Sequence, residues 1–272
     1  MNRLWARYVA ADPTLAPILR WPWPDVPWEA VIQAKKAFPV DRQALVSALL
    51  RQNASFLAED PVLRASIEAL GRSETFSVVT GQQVGWLTGP LYTLIKAVHV
   101  VQLARQLTSW SQGRYAFVPV FWLASEDHDA HEVSSVEIGW GHRLSYGGYF
   151  QGPVGRHRIE KAFPEEAYTL PLQSFWRVGE TWEGAFRACM QDLFRGTGLI
   201  WVSGDDPVLK RLAAPLWIQE IQELRARSAH TLSLSLFRAI GEKPRLYPRA
   251  INLFWLGDRE RRYPTEGEYR LS

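Results

Sequence analysis

Residues 76–96, Phe-Ser-Val-Val-Thr-Gly-Gln-Gln-Val-Gly-Trp-Leu-Thr-Gly-Pro-Leu-Tyr-Thr-Leu-Ile-Lys, set a short apolar run, a glycine-rich turn and a proline-led helical pattern in immediate succession. Few folds accept that order, because a strand passing through a turn directly into a helix opens a βαβ unit. Phe76, Val78 and Val79 supply the strand, which is expected to end at Thr80-Gly81. Gly81, Gly85 and Gly89 then allow backbone angles that a Cβ disfavours. Thr88 or Gly89 can cap a helix whose first position suits Pro90. A helix N-terminus facing a loop of low bulk offers N–H groups and partial positive charge to an anion. The spacing matches neither the Walker A loop nor GxGxxG, so the pattern alone names no ligand.

The helix from Pro90 is expected to reach about Leu107, burying Leu91, Leu94, Ile95, Val98, Val101 and Leu103, with Ala97 and Ala104 widening the face. Tyr92, Lys96, His99 and Gln102 share a polar stripe. A solvated face is its first reading; a Lys96 that reaches back toward an anion bound at the loop is the second. Residues 117–125 then form a nearly continuous apolar run, the pattern of a central parallel strand. It empties into Glu126-Asp127-His128-Asp129-Ala130-His131-Glu132. Open α/β sheets bind ligands at the C-terminal ends of their strands, so the glycine loop and this acidic cluster are expected to be neighbours.

Glu126, Asp127 and Asp129 can hold Mg²⁺ or order an amine, and His128 can move a proton near neutral pH. His128 and His131 with a carboxylate would be a zinc set, although their spacing is not HExxH. The amides of Gln82 and Gln83 suit a carboxylate or a sugar hydroxyl, and equally suit plain loop polarity. At least one of Asp205 and Asp206 is expected to cap the following helix, and Cys189 reads as a buried thiol on an apolar helix face. No GxSxG elbow is present.

Around this centre, residues 1–74 read as an extended proline-rich strap (21–28) followed by packing helices beginning at Asp41 and at Asp60-Pro61. Residues 75–135 form the first half of the core, and glycine-interrupted 136–178 reads as an inserted connecting segment leaving the sheet. Core elements resume over 179–230. A helix over 180–194 buries Trp182, Phe186, Cys189 or Met190, and Leu193; a third strand covers 199–203, and a helix runs from Pro207 to about Arg227. Residues 231–272 begin a second connecting segment, with a strand over 251–256 and a hairpin cue at Gly257-Asp258. The single cysteine excludes an internal disulfide, and a net charge of +3 does not favour nucleic acid. Apolar runs fall far short of the roughly 20 residues that span a bilayer, and the N-terminus lacks a secretory pattern, so no membrane partner and a cytoplasmic location are expected. The 13 tryptophans, spread along the chain, read as core filling.

Residues 80–96, followed by Val118-Pro-Val-Phe-Trp-Leu-Ala-Ser-Glu-Asp-His-Asp129, closely resemble the bacillithiol biosynthesis cysteine-adding enzymes, a family of cysteine ligases. Gly198-Leu-Ile-Trp-Val-Ser-Gly-Asp-Asp-Pro207 and Asn252-Leu-Phe-Trp255 resemble them in the same order. The resemblance implies an α/β fold: a Rossmann-like parallel sheet with flanking helices, inserted connecting segments, and a C-terminal coiled coil for homodimerisation. By this resemblance the chain looks like the N-terminal half, without the coiled coil, and is expected to be a fragment, a split protein or a shortened relative; a separate C-terminal half is the partner expected of a split protein. The implied reaction adds L-cysteine to malyl-glucosaminide in the last step of bacillithiol biosynthesis, with ATP as the expected activator and Mg²⁺ beside it. For that reaction, Lys96, Asp127, His128 and Asp129 are expected to carry catalysis. Thr80, Gly81, Gln82, Gln83, Gly85, Thr88, Gly89, Tyr92, Glu126 and Asp205 are expected to bind substrate or nucleotide. A noncatalytic binding or scaffold protein is the alternative, and a metal-dependent hydrolase using His128 and His131 a third.

Overall fold

The computed structural model describes residues 3–19, 21, 25–139, 141–147, 151–243, 253–257 and 261–262. Ala6-bearing α1 (Arg3–Val9) and α2 (Trp28–Lys36) precede α3 (Arg42–Gln52) and α4 (Pro61–Ala69). Both predicted caps form: Asp41 accepts the Ala44 N–H and Asp60 the Leu63 N–H, each at 2.9 Å. Then follow β1 (Thr75–Gln82), α5 (Leu91–Trp110), β2 (Ala116–Leu123), α6 (Ala130–Val133), and the hairpin of β3 (Ser135–Gly139) and β4 (His142–Ser145). After a run of short 3₁₀ turns come α7 (Trp182–Phe194), β5 (Ile200–Ser203), α8 (Pro207–Glu223) and α9 (Arg225–Ala239). Two short paired strands, β6 (Trp255–Leu256) and β7 (Arg261–Arg262), complete the order.

β1, β2 and β5 form one parallel sheet with β2 in the centre, as the apolar run predicts. Alternation along the strands feeds two cores. Phe121, Leu123 and Trp201 face α5 and α7, whereas Val118, Val120, Ile200 and Val202 face α3 and α4. Trp86, Trp176, Trp182 and Trp201 are fully buried and fill core as expected, whereas Trp5, Trp110, Trp122, Trp217 and Trp255 are exposed, so core filling describes only part of the set. Tyr146, Val154, Ile159, Phe163 and Trp176 join the same cluster as Trp86 and Phe121, so the 136–178 segment packs into the sheet's own core. Trp176 meets Trp182 edge-on at 5.0 Å, and Trp86 meets Phe163 at 4.7 Å.

The helices depart from expectation in detail. Pro90 (φ −60°, ψ 147°) is itself the N-cap residue of α5, so neither Thr88 nor Gly89 caps it, and the helix continues past Leu107 to Trp110. Its buried positions are Thr93, Ala97, Val100, Val101, Ala104 and Leu107, whereas Leu91, Ile95 and Val98 are exposed. Ala97 and Ala104 bring the helix axis close to the sheet, and that approach selects the buried face over the one with the larger side chains. In α7, Phe194 is buried in place of Leu193. Leu224 adopts a left-handed backbone (φ 49°) that ends α8 before Arg227, and α9 begins in the core stretch and runs on into residues 231–239, read as connecting segment. Its Leu–Ser alternation at 232–236 gives no helical stripe to read.

Among the described residues two compact units emerge, one drawn from 41–212 with 256–262 and the other from 1–40 with 213–255. In the latter, Arg7 pairs with Asp12 at 2.8 Å and with Glu242 at 2.7 Å. The core of the predicted strap, 22–24, and residues 251, 252 and 258 of the C-terminal strand and hairpin lie outside the described residues.

Candidate functional site

β1 does not stop at Thr80; it pairs with β2 through Gln82, with Thr80 opposite Phe121 and Gly81 opposite Trp122. A Cβ on Gly81 would lie 2.7 Å from the Trp122 carbonyl oxygen, so this glycine serves close strand packing rather than loop freedom. Past the strand the chain folds on itself. A Cβ on Gly85 would come within 2.7 Å of the Gly89 Cα, and Gly89 has φ +68°. Val84, Trp86 and Leu87 plug the turn into the core. Two indoles pin it: Trp86 Nε1 donates to Gln173 Oε1 (3.0 Å) and Trp182 Nε1 to the Val84 carbonyl.

This anchoring changes the expected anion cradle. The N–H groups of Gly85, Trp86 and Gly89 donate to the carbonyls of Gln83, Val133 and Trp86 at 2.8–3.0 Å. The Thr93 N–H bonds the Pro90 carbonyl, and Pro90 has no N–H of its own. Side chains add further contacts between the loop and its neighbours. Lys96 Nζ reaches back to the Gly81 carbonyl (3.1 Å) and Gln82 Oε1 (2.9 Å), crossing the Tyr92 ring. Gln82 Nε2 donates to Tyr92 OH and Gln83 Oε1, both at 2.8 Å. Gln83 Nε2 in turn donates to Asp127 Oδ2 and Glu132 Oε2, both at 3.3 Å. The glycine loop and the acidic cluster are thus adjacent, as the βαβ order requires.

Within the cluster the groups are not equivalent. Asp129 caps α6 by accepting the Glu132 N–H at 3.2 Å, a structural duty for its carboxylate. Glu126 is partly buried, its Oε2 has no hydrogen-bond partner, and its Oε1 would lie 2.9 Å from a Cβ on Gly204. Burial pushes its pKa up, and repulsion from Asp127 and Asp205 adds to that against the pull of Lys210. For Asp205, burial also works upward, but hydrogen bonds from Arg156 and Lys210 outweigh it and hold the carboxyl below its ordinary value. Asp206 is the cap of α8, accepting from Val208 (2.7 Å) and Leu209 (3.0 Å). Among the described residues no three His, Cys, Asp or Glu side chains converge as metal ligands, so His128 and His131 gain no third zinc ligand there. Cys189 is buried and its thiol is pushed up to about 12, chiefly by burial, as an inert core thiol should be.

Sequence reasoning missed the groups that knit the strand ends together. Ser125 and Ser203 hydroxyls meet at 2.9 Å, Ser203 donates to Glu183 Oε2 at 2.7 Å, and Glu183 pairs with Arg187. Val154 and Gly155 donate to the Asp127 and Ser125 carbonyls, both at 2.8 Å, which sets Arg156 beside the same turn. No local signal could have found Arg156: its partner Asp205 is 49 residues away. Among the described residues no helix is long and apolar enough to cross a membrane.

A family model described as bacillithiol biosynthesis BshC, N-terminal Rossmann-like domain, matches residues 1–270. Similar curated proteins are named "Putative cysteine ligase BshC". One from Salinibacter ruber is 34% identical over 243 residues, covering 81% of this chain and 44% of the relative. One from Chloroherpeton thalassium is 33% identical over 259 residues, covering 85% and 45%. One from Cytophaga hutchinsonii is 30% identical over 273 residues, covering 98% and 52%. The chain spans about half the length of these relatives.

Proposed function

The chain belongs to the BshC family of bacillithiol biosynthesis through its N-terminal Rossmann-like domain, and from that premise we propose that it carries the strand-end crevice of a cysteine ligase. In this reading L-cysteine is joined through its carboxylate to the amine of malyl-glucosaminide, the last step of the pathway. The observation that carries the site assignment is the bridge from Gln83 to Asp127 and Glu132, which joins the family's two characteristic motifs in one crevice.

Amide formation from a free carboxylate is uphill in water, so an activator is required, and ATP is the activator we propose; when bound it would convert the cysteine carboxylate into a phosphate or AMP ester, and the phosphate or AMP would leave with the former carboxylate oxygen as the amide forms. The N–H groups of Gly85, Trp86 and Gly89 are committed within the fold, so phosphate recognition in this reading falls to side chains. Mg²⁺ commonly binds through one or two carboxylates together with phosphates and water, and Asp127 and Glu126 are the groups here that suit it. Asp127 accepts a hydrogen bond from the incoming amine, and His128 takes the proton released as the amine attacks. Gln83 orients Asp127, and Lys96 holds Gln82 and the end of β1 while adding positive charge beside the crevice. Thr80, Gly81, Gly85, Thr88 and Gly89 shape the wall, and Tyr92 fixes Gln82 through its hydroxyl.

The test incubates this chain, alone and mixed with the C-terminal half of a relative, with L-cysteine, malyl-glucosaminide and ATP, and reads product by mass spectrometry. Product that Asp127→Asn abolishes supports the assignment. Absence of product in both mixtures, with and without Mg²⁺, refutes it.

A further inference from the structure

Among the described residues the fold closes only one of the two outer edges of the parallel sheet. At β5 the Asn53 side chain donates to the Trp201 carbonyl (3.0 Å), and the Gln52 amide accepts the Ser203 N–H (2.8 Å) and donates to the Ser203 carbonyl (3.5 Å). Two amides at the end of α3 therefore stand where a neighbouring strand would. At β1 the Ala116 N–H donates to the Glu74 carbonyl and the Ala124 N–H to the Gln82 carbonyl, so the even-numbered residues face β2 and the odd-numbered ones direct N–H and C=O outward. Cations take both ends of that outward row: Arg42 bonds the Thr75 carbonyl and Lys96 the Gly81 carbonyl, each at 3.1 Å. Between them Ser77 and Val79 are exposed, Val79 by 57%, and β1 pairs with β2 alone among the described residues. Exposed edges are usually blunted by lysine, proline or a bulge, and Ser77-Val78-Val79-Thr80 has none of these. The flanking face is open as well. Val79 is in register with Val120, whose side of the sheet α3 and α4 cover over β2 and β5, whereas purely parallel sheets are buried on both faces throughout.

We propose that the outer edge of β1 at Ser77 and Val79 is an interaction surface that takes a further strand of this sheet, supplied by the part of the longer family members that lies beyond the region this chain matches. Length argues for that occupant. The chain is matched over 98% of itself by the Cytophaga hutchinsonii protein yet covers 52% of it, which leaves ample chain for a strand and the helices that flank one. The matching family model is that of an N-terminal domain, so the remainder follows it in sequence. The incoming strand bonds the outward N–H and C=O groups of Ser77 and Val79 through its own backbone, and apolar side chains on its α3 side seal Val79. The proposal rests on the family relationship and not on the ligase chemistry. Association is measured without turnover, so the two can fail separately.

The experiment coexpresses this chain with a tagged fragment of the Cytophaga hutchinsonii relative that begins where the match ends, purifies through the tag and follows amide hydrogen exchange. A 1:1 complex is expected, in which the Ser77 and Val79 amides exchange at least about 100-fold more slowly than in the chain alone. Val79→Pro removes an outward N–H that the ladder between β1 and β2 does not use, so the variant chain keeps the parent's thermal melt. Coexpressed in competition with the parent chain, its share of the purified complex falls at least about tenfold. Val79→Lys carries the same test should Val79→Pro fail to fold. Failure of the two chains to copurify, a complex that leaves both amides exchanging as in the free chain, or a parental share for a folded variant overturns the proposal. So does a chain that is dimeric on its own with both amides protected, because a second copy then holds the edge.

Discussion

Replacing Gly155 by alanine tests how the strand-end crevice is assembled. An added Cβ would lie 2.4 Å from the Ser125 Cβ and 3.1 Å from its Cα and carbonyl oxygen. No flexible side-chain tip is involved; the clash is with the body of a fully buried residue at the end of the central strand. The 154–156 turn must lift, and the two 2.8 Å bonds from Val154 and Gly155 to Asp127 and Ser125 lengthen together. Overpacking of this kind costs about 1–3 kcal/mol. At roughly 2–4 °C per kcal/mol for a domain of this size, the melting temperature should fall by about 2–12 °C. Gly139 is the control, since a Cβ there meets nothing within 4 Å and its φ is not positive. Gly139→Ala should melt within about 1 °C of the parent, as surface changes do. Thermal melts followed by circular dichroism give both values. A Gly155→Ala protein that melts with the Gly139→Ala control would refute the claim that this turn is clamped to β2.

Glu126 gives a pH signature. Its folded pKa is raised above the unfolded value, so as pH climbs from the ordinary glutamate range through the folded pKa, the unfolded state ionises first and the fold loses stability. Glu126→Gln removes that loss, so urea midpoints of variant and parent should diverge in the variant's favour between pH 4 and pH 8; parallel curves would contradict the burial argument. Asp60→Ala should cost more than Asp41→Ala, about 2–4 against about 1 kcal/mol, because Asp60 also accepts from Gln191 Nε2 and the Gly196 N–H. Denaturant titrations rank the pair, and equal losses would deny Asp60 its extra partners. The Cys189 thiol, pushed up to about 12, should resist Ellman's reagent in the native protein and react on unfolding; rapid native labelling would place it at the surface.

Patterns spanning a few residues carried the βαβ core, because strand alternation, caps and the strand-loop-helix order are local. Asp41, Asp60 and the apolar run ending at Leu123 behave as their neighbours in sequence dictate. Where tertiary approach decides, sequence pattern fell short. Ala97 and Ala104 let α5 lie close to the sheet, turning Leu91, Ile95 and Val98 outward against the larger-residue face. Gly81 looked like loop and is strand, because its role is set by Trp122 across the ladder. Gln82, Gln83, Lys96 and Asp127 were nameable from the motif, and their contacts lie within one βαβ unit. Arg156, Glu183 and Ser203 reach the site from distant segments, and only the folded chain brings them together.

That division has a physical consequence for the crevice. The loop wall is fixed by apolar burial: Val84, Trp86 and Leu87 insert into the core, and the N–H groups of Gly85, Trp86 and Gly89 bond to carbonyls of the fold. The end of β5 is built the other way, from a small glycine, paired cations and, nearby, an acid with one oxygen unsatisfied. A ligand in the crevice would be oriented by the Gln83 and Asp127 side, so substitutions there should change turnover more than affinity.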